Sequence, residues 1–588
     1  MKINELNPYV KRYMKNRGFS DPEAVCRYLS FDEENLRKVQ DMCGGAELLN
    51  ALFEAVREGC RITVYGDYDA DGVMATFILY TGLERLLPGR VNWFINDRFS
   101  DGYTITPESM EKMLSLYPET EVVVTCDNGI SAPAAIRHAA ERGVLVLVTD
   151  HHGQTEELPA DCPVVDEKSF AQREKDAADG VKSEDFCGAE LARRVVTELY
   201  EKLEKAEENR AFLDGLFAYS GFATITDSVP MTAANHYVAR RGLELIREGS
   251  GVWGLLNEIC GVRRGAVNDD TVGFKYGPMV NASGRVTGRA DSALEVFLQF
   301  HYGREEDCRK AVDTLLSLND DRRAMCLEDD ALAFRLAKES GAEDMPFILL
   351  ADPRFREGIN GLTAAHLVEK YKVPAAVLSP VGNGSGRYKG SARSVEGFDL
   401  FAALASHSDF VQAGGHPMAA GLSVKEEDID RLRAALMEDA AGIKGTGGSE
   451  DAGSEEAEIP QKKPLKPADF TFVPSDLTVK TVDELEEAAR ILRPFGPGLE
   501  PMRVALECEA PRLYPMKGKE GTPTHARFSM DRWSKDLHEV SAVWWNHLEE
   551  AAALTEAADG GYRFVGRLEI NAYRDVKIQM VIDEAERI

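Results

Sequence analysis

Four short segments of the chain combine carboxylates with imidazoles at a density that suggests metal chemistry. In chain order they read YGDYDADG, TCDNGI, VTDHHG and TITDSVPM. Oxygen ligands accompanied by one or two imidazoles suit Mn²⁺ or Mg²⁺, and no Cys-x-x-Cys pair signals a zinc site. The residues concerned are Asp67, Asp69, Asp71, Asp127, Asp150, His151, His152 and Asp227.

Apolar runs place these motifs at the ends of strands. Residues 61–65 (RITVY), 121–125 (EVVVT) and 144–149 (VLVLVT) have the length and character of buried strands, and helical stretches separate them. Alternation of strand and helix indicates a parallel sheet with helices on its faces. Ligands bind at the carboxyl ends of the strands in such a sheet. We therefore expect the acids and imidazoles to converge at one edge, with Asp227 joining from a later segment.

Acids crowded at one sheet edge repel one another unless cations compensate their charge. We therefore predict two divalent cations that share a bridging carboxylate. Such a pair activates a water and stabilises the leaving oxygen of a phosphodiester. Gly72 and Gly129, inside the motifs, leave room for close approach of the backbone.

Each of these residues taken singly has a simpler interpretation. A lone Asp is most often a turn residue or a helix N-cap, and a His pair after a strand is structural about as often as functional. The DxDxDG pattern at residues 67–72 also resembles part of a calcium-binding loop, but a strand rather than a helix precedes it. The four motifs together favour the metal interpretation.

The rest of the chain divides into regions that differ in hydrophobic pattern and composition. Its 588 residues predict three or four domains, and 44% apolar with 29% charged residues is typical of a globular protein. The first sixty residues are predicted to be helical, alternation resumes at 347–351 (FILLA), and 441–458 is predicted to be a flexible linker. Short alternating strands near the end predict a small β-barrel. The predicted regions are an N-terminal helical segment (1–45), a catalytic domain (46–265), a connecting helical region (266–340), a smaller α/β domain (341–442), an acidic linker (443–466) and an OB-like domain (467–588).

Charge and the N-terminal sequence bear on partners and location. The net charge of −30, taken alone, argues against a nucleic-acid-binding protein, because phosphate binding rests on Lys and Arg. Bound cations and a local arginine cluster weaken that objection, since bound cations can dominate the field of a site. The N-terminus lacks the pattern of a signal peptide, and no apolar stretch is long enough to span a bilayer. We expect a cytoplasmic protein with no membrane partner.

In this order the four motifs resemble those of the DHH phosphoesterase superfamily, named for the Asp-His-His found at 150–152. Later segments resemble the RecJ exonuclease family within it, and the resemblance implies a parallel-sheet DHH domain, a connecting helix, an α/β DHHA1 domain and a C-terminal OB-like β-barrel. The chain departs from the family pattern at 355–356, which read Phe-Arg instead of Trp-His, and at 166–168, which replace Asn-Pro with DEK. The segments that carry the resemblance are 276–286 (YGPMVNASGRV), 316–323 (LSLNDDRR), 389–394 (KGSARS), 413–421 (AGGHPMAAG), 492–501 (LRPFGPGLEP) and 568–582 (LEINAYRDVKIQMVI).

The resemblance also implies a role for each residue of the site. One metal would be held by Asp67, Asp69 and Asp127. The other would be held by Asp71, Asp127, His151 and Asp227, with Asp127 as the bridge, and His152 would contact the scissile phosphate. The residues implied to bind the 5′-terminal nucleotide, by gripping its phosphate, stacking on its base or lining the cleft, are Arg98, Tyr103, Arg285, Ser391, Arg393, Gly414, Gly415 and His416.

The expected function is a two-metal 5′-to-3′ exonuclease that releases 5′-mononucleotides from single-stranded DNA in repair and recombination. A helicase and a single-strand-binding protein are its expected protein partners. The alternative enzyme is a DHH/DHHA1 phosphodiesterase for short oligonucleotides or cyclic dinucleotides, which would not need the C-terminal barrel. A non-catalytic scaffold of the same fold is a third hypothesis, although every motif acid is present.

Overall fold

Three β-sheets and a set of helices make up the part of the chain that the structure describes. A computed structural model describes residues 6–19, 21–102, 104–263, 265–342, 345–382, 384–441, 467–509, 511–517, 523–530, 534–555, 560–571 and 577–588. The strands are β1 (Ile62–Gly66), β2 (Val91–Ile95), β3 (Val122–Cys126), β4 (Leu145–Thr149), β5 (Val164–Val165), β6 (Ile348–Ala351), β7 (Ala375–Pro380), β8 (Arg387–Arg393), β9 (Val411–His416), β10 (Ala419–Lys425), β11 (Phe470–Phe472), β12 (Val504–Glu509), β13 (Arg512–Lys517), β14 (Pro523–Ser529), β15 (Glu539–Trp544), β16 (Gly561–Asn571) and β17 (Lys577–Arg587).

Helices cover most of the remaining described residues. None of the described helices is both long enough and apolar enough to cross a membrane. They are α1 (Pro8–Asn16), α2 (Pro22–Leu29), α3 (Gly45–Glu58), α4 (Ala70–Leu86), α5 (Pro107–Leu116), α6 (Pro133–Glu141), α7 (Phe170–Asp179), α8 (Gly188–Lys202), α9 (Arg210–Gly215), α10 (Phe217–Thr226), α11 (Ala233–Glu248), α12 (Val252–Ile259), α13 (Asp269–Thr271), α14 (Gly277–Thr287), α15 (Asp291–His301), α16 (Glu305–Glu339), α17 (Asn360–Tyr371), α18 (Leu400–Ser406), α19 (Ile429–Asp439), α20 (Val479–Leu492) and α21 (Leu548–Thr555).

The chain folds into two compact units. One unit, formed by 37–227 and 242–455, contains two sheets and is called the two-sheet unit below. The other, formed by 1–36, 228–241 and 456–588, joins both ends of the chain and is called the terminal unit.

The first sheet of the two-sheet unit is parallel, in the order β2-β1-β3-β4-β5. Its central strands β1 and β3 are buried along their whole length, which explains why they consist of continuous apolar runs. Helix α4 is buried on almost all sides, because it packs against the sheet and also against α8 and α10. The predicted parallel catalytic sheet is confirmed, and β1, β3 and β4 all end at the edge that carries the acids.

The second sheet has the order β6-β7-β8-β10-β9, with β6 and β7 parallel and the other pairs antiparallel. Its two faces bury separate apolar cores, one of which includes α18 and α19 and the other α17 and the end of α16. Helix α16, 35 residues long, leads from the first sheet to the second. It corresponds to the predicted connecting helix.

In the terminal unit a mixed seven-stranded sheet follows the order β11-β12-β16-β17-β15-β14-β13. No pairing among the described residues joins β11 to β13, so the domain is an open OB-like sheet rather than a closed barrel. Helix α1 packs on this sheet, with the rings of Tyr9 and Phe470 5.1 Å apart and Arg17 2.6 Å from Asp469. The predicted fold class is confirmed, whereas the domain boundaries stay a prediction and the linker at 443–466 lies outside the described residues.

Candidate metal centre and phosphate pocket

The turn between β1 and α4 presents three carboxylates. Asp69 is the N-cap of α4, and its side chain accepts hydrogen bonds from the backbone N–H groups of Asp71 (2.9 Å) and Gly72 (3.1 Å). Asp71, in the first turn of the helix, is 2% exposed. Its two oxygens accept the backbone N–H groups of Gly188 (2.6 Å) and Ala189 (2.8 Å), at the N-terminus of α8. Helix N-termini stabilise negative charge, so α8 fixes this carboxylate in place.

Asp127, immediately after β3, has a strained backbone. Its φ of 60° lies in the left-handed region, which is rare for residues other than glycine and is concentrated at functional sites. Gly188 packs directly on it, because a Cβ at Gly188 would lie 2.7 Å from the Cβ of Asp127. The side chain of Asp127 is thereby directed into the space shared with β1 and β4.

The three residues of the Asp-His-His motif after β4 have different partners. His151 is 6% exposed, and its Nε2 lies 3.0 Å from Asp127 Oδ1, 3.6 Å from Asp71 Oδ2 and 3.7 Å from Asp227 Oδ2. Asp150 instead accepts the N–H of Ile130 (2.9 Å) and bonds to Nδ1 of His152 (2.8 Å). Asp150 therefore orients His152, a role that the spacing of the motif does not reveal.

Charge couples Asp150 and His152. Burial alone would lower the pKa of His152, but the charge of Asp150 and the hydrogen bond between them raise it to about 10. Burial would likewise raise the pKa of Asp150, but His152 lowers it to about 2. Because Nδ1 is engaged by Asp150, Nε2 is the ring nitrogen through which His152 would contact an oxygen of a phosphate.

Three sets of side chains bring possible ligand atoms within 4.8 Å of one another. Asp227, which caps the C-terminus of α10, joins them from a separate helix. The sets are Asp67, Asp69 and Asp127; Asp71, His151 and Asp227; and Asp127, His151 and His152. Asp127 and His151 each belong to two of them. The structure therefore brings together all seven residues predicted to bind metal or scissile phosphate.

The electrostatics of this cluster fit divalent cations. Burial, and then the charge of Asp69, raises the pKa of Asp67 to about 8 and that of Asp71 to about 6. The pKa values of Asp127 and Asp227 are raised by burial and then by Asp71. Among the described residues, Asp67 Oδ1 and Asp127 Oδ1 find no hydrogen-bond donor although both are buried. Cations would remove the repulsion and supply the missing partners.

A second cluster, of arginines, adjoins the acids. Burial lowers the pKa of Arg285 to about 10, and the nearby charges of Arg98, Arg393 and Arg322 add to that effect. Arg98 lies over the ring of Tyr68, in the turn between β1 and α4, 5.3 Å from its centroid. Guanidinium groups repel one another when they are brought close together, so the cluster implies an anion, and guanidinium matches phosphate geometry.

The second sheet also contributes residues to this cluster. Ser391 and Arg393 lie on β8 and face the first turn of α17, where a Cβ at Gly361 would be 3.0 Å from Arg393 Nη2 and 3.4 Å from Ser391 Oγ. N–H groups at the start of a helix also favour anions. Arg285, on α14, donates to the carbonyl of Gly358 (3.5 Å), so α14 contacts the loop that leads into α17.

The remaining residues predicted to bind the 5′-terminal nucleotide are His416, Gly414, Gly415 and Tyr103. His416, on β9, stacks on His152 with ring centroids 6.4 Å apart and planes 8° apart, and Gly414 and Gly415 precede it on the same strand. Tyr103 lies outside the described residues. Sequence reasoning missed Arg322 in the arginine cluster and Gly188 against Asp127. The segment LSLNDDRR, which carries part of the family resemblance, contains the signal that could have found Arg322.

Comparisons with protein-family models identify two domains in this chain. Residues 61–218 match the model of the DHH family, N-terminal domain, and residues 344–442 match that of the DHHA1 domain. The fold and the acidic site thus define a DHH-type phosphoesterase with a DHHA1 domain.

Similar proteins identify the family within this class. The single-stranded-DNA-specific exonuclease RecJ of Dickeya dadantii is 30% identical over 73% of this chain and 74% of its own length. That of Bacillus subtilis is 29% identical over 99% of this chain and 68% of its own length. A crystal structure of RecJ in complex with Mn²⁺ from Thermus thermophilus is 25% identical with a TM-score of 0.74, over 99% of this chain and 76% of that one. The chain belongs to the RecJ family.

Proposed function

We propose that this protein is a metal-dependent 5′-to-3′ exonuclease that hydrolyses single-stranded DNA and releases 5′-mononucleotides in DNA repair and recombination. The observation that carries the proposal is that two sets of possible metal ligands, linked through Asp127 and His151, lie beside a cluster of arginines. The relatives named above are single-stranded-DNA-specific exonucleases, and the Thermus thermophilus structure contains Mn²⁺.

The metal ligands proposed are Asp67, Asp69 and Asp127 for one cation, and Asp71, Asp127, His151 and Asp227 for the other. Mn²⁺ or Mg²⁺ at these positions would supply Lewis acidity and a coordinated water of lowered pKa. The chain's own groups do the positioning. Backbone N–H groups at the start of α8 hold Asp71, and those at the start of α4 hold Asp69. Asp150 would direct His152 toward the phosphate.

The arginine pocket accounts for polarity in this proposal. Arg98, Arg285 and Arg393, together with Ser391, would bind the 5′-terminal phosphate through charge-assisted hydrogen bonds. A phosphate held there would fix how far the next phosphodiester lies from the acids, so cleavage would start from the 5′ end. Stacking of the terminal base on Tyr103 belongs to the same proposal.

Degradation of 5′-phosphorylated single strands of different lengths in Mn²⁺ tests the proposal, with Asp127→Ala as the inactive control. We expect release of mononucleotides from the 5′ end, slower first cuts on 5′-hydroxyl strands, and slower first cuts for Arg393→Ala. Absence of nucleotide release by the intact protein would contradict the nuclease. Equal rates on long strands after removal of 467–588, with better cleavage of dinucleotides or cyclic dinucleotides, would favour the short-substrate phosphodiesterase.

We also propose a cytoplasmic location and cooperation with a helicase and a single-strand-binding protein. The reason is chemical: an enzyme restricted to single strands needs another protein to separate a duplex. Stimulation of nucleotide release from duplex DNA by an added helicase is the expected result.

A further inference from the structure

A buried carboxylate behind the metal centre, Glu167, holds the segment of backbone that leads into α8. We propose that Glu167 is a positioning residue for Asp71, acting through the backbone N–H groups that bind the Asp71 carboxylate. The inference rests on the proposed metal site, because Asp71 is one of its ligands.

The contacts of Glu167 are mainly with backbone. It follows β5, is 2% exposed, and accepts the N–H groups of Phe186 (3.0 Å) and Glu184 (3.3 Å) and the hydroxyl of Ser183 (3.4 Å). Residues 181–187 form neither helix nor strand, so their N–H groups cannot be satisfied by regular structure. Glu167 therefore supplies the bonds that fix the path of this segment.

That path ends at the metal ligand. Two residues after Phe186, the N–H of Gly188 donates to Asp71 Oδ2 (2.6 Å) and the N–H of Ala189 donates to Asp71 Oδ1 (2.8 Å). A shift of the segment moves these two donors together, because they open the first turn of α8. Asp71 Oδ2 is 3.6 Å from His151 Nε2, so displacement of the carboxylate also changes the spacing of the ligand set.

Arg37 also contacts Glu167. Its Nη1 lies 3.8 Å from Glu167 Oε1, and the same guanidinium makes two bonds of 3.0 Å with Asp176. Glu167 is thus held by a cation and two backbone donors. This arrangement resembles the outer ligands of metalloproteins, which orient the residues that bind the ion.

A matched control exists on α8 itself. Glu198 accepts the backbone N–H groups of Val39 (2.6 Å) and Gln40 (3.1 Å), which belong to a short 3₁₀ helix, so it also holds a connecting segment through two bonds. Its segment leads into α3 and contributes no metal ligand. Loss of Glu198 removes the same kind of interaction without touching Asp71.

The test measures Mn²⁺ binding by the full chain without DNA, from the electron paramagnetic resonance signal of free Mn²⁺. We expect Glu167→Ala to weaken Mn²⁺ binding about tenfold or more, the range seen for outer ligands. Glu167→Gln should weaken it less, since its amide oxygen still accepts one N–H group. Glu198→Ala should leave it unchanged. Hydrogen exchange should quicken at 183–189 in the Glu167 variants only.

Several results would overturn the inference. Folded Glu167→Ala with normal Mn²⁺ affinity is one, and an equal loss in Glu198→Ala, which would indicate general destabilisation, is another. If Glu167→Ala does not fold, Glu167→Gln decides, and unchanged affinity there rejects the role. Failure of the unaltered chain to bind Mn²⁺ would instead remove the proposed metal site, and with it the inference.

Discussion

Gly188 determines how closely α8 approaches the metal ligands. A Cβ at this position would lie 2.7 Å from the Cβ of Asp127 and 2.9 Å from its Oδ1, so even a methyl group must displace the carboxylate. We expect Gly188→Ala to lower Mn²⁺ affinity about tenfold or more and to cost about 1–3 kcal/mol of stability through overpacking. Titration with Mn²⁺ and urea denaturation measure the two effects.

Gly215 provides the control for that substitution. It ends α9, and a Cβ there would meet nothing within 4 Å. Gly215→Ala should leave Mn²⁺ binding unchanged. An unaltered Mn²⁺ affinity in folded Gly188→Ala would show that the acids tolerate the extra atom and that the close approach is not needed.

Sequence reasoning could group the proposed ligands because strand ends meet at one edge of a parallel sheet wherever helices connect the strands. Asp67, Asp127 and His151 could therefore be grouped without knowing any contact. Glu167 and Arg322 could not be grouped in that way. Glu167 follows β5, a strand of two residues that is too short for hydrophobic periodicity to reveal, and Arg322 lies on α16 and approaches the other arginines only in the folded chain. A charged residue in isolation has the same appearance on a solvated helix face.

At the scale of elements, α8 contains a fully buried ion pair. Glu190 and Arg193, 0% and 2% exposed at their side chains, form two bonds of 2.8 Å, and Arg193 stacks on Phe217 at 3.7 Å. Arg193→Met would leave Glu190 buried without its cation, which costs about 3–5 kcal/mol. Urea denaturation should show this loss, and Glu190→Gln combined with Arg193→Met should recover most of it. A loss below about 1 kcal/mol in the single variant would mean that Glu190 finds another partner.

Helix α11 begins in the terminal unit and carries a histidine that is neutral in the fold. His236 is 1% exposed, and its Nε2–H donates to the carbonyl of Leu492 (2.9 Å). Burial lowers its pKa to about 4, and the charge of Arg240 adds to that effect.

This histidine should make the terminal unit sensitive to acid. Above pH ~6.5 it is neutral in both folded and unfolded chains, so its titration does not lower the free energy of unfolding there. Between pH ~6.5 and ~4 only the unfolded chain takes up the proton, and stability falls by about 1.4 kcal/mol per pH unit. Hydrogen exchange in α20, compared between the natural chain and His236→Gln from pH ~7 to ~4.5, measures the difference. Parallel pH profiles for the two chains would contradict the assignment.

At the scale of the whole molecule, both ends of the chain meet in one unit. Tyr13 of α1 is fully buried, its hydroxyl donates to the carbonyl of Glu500, and the guanidinium of Arg17 lies 3.6 Å from its ring centroid. Arg17 in turn pairs with Asp469, which accepts the N–H of Arg503 (2.9 Å). Hydrophobic periodicity predicts a helix near the N-terminus but not this partner, because Arg17 and Asp469 are 452 positions apart.

Truncation of Tyr13 should therefore destabilise elements near the C-terminal end of the sequence. We expect Tyr13→Ala to destabilise the terminal unit by about 3–5 kcal/mol, as for other large aromatic side chains removed from a core. Hydrogen exchange in β12 should quicken, and cleavage of long single strands should fall more than cleavage of short ones, because the proposed metal ligands belong to the other unit. Glu23→Ala, whose side chain is 73% exposed, should change none of these. Unchanged exchange in β12 in the Tyr13 variant would separate the N-terminal helices from the stability of the C-terminal sheet.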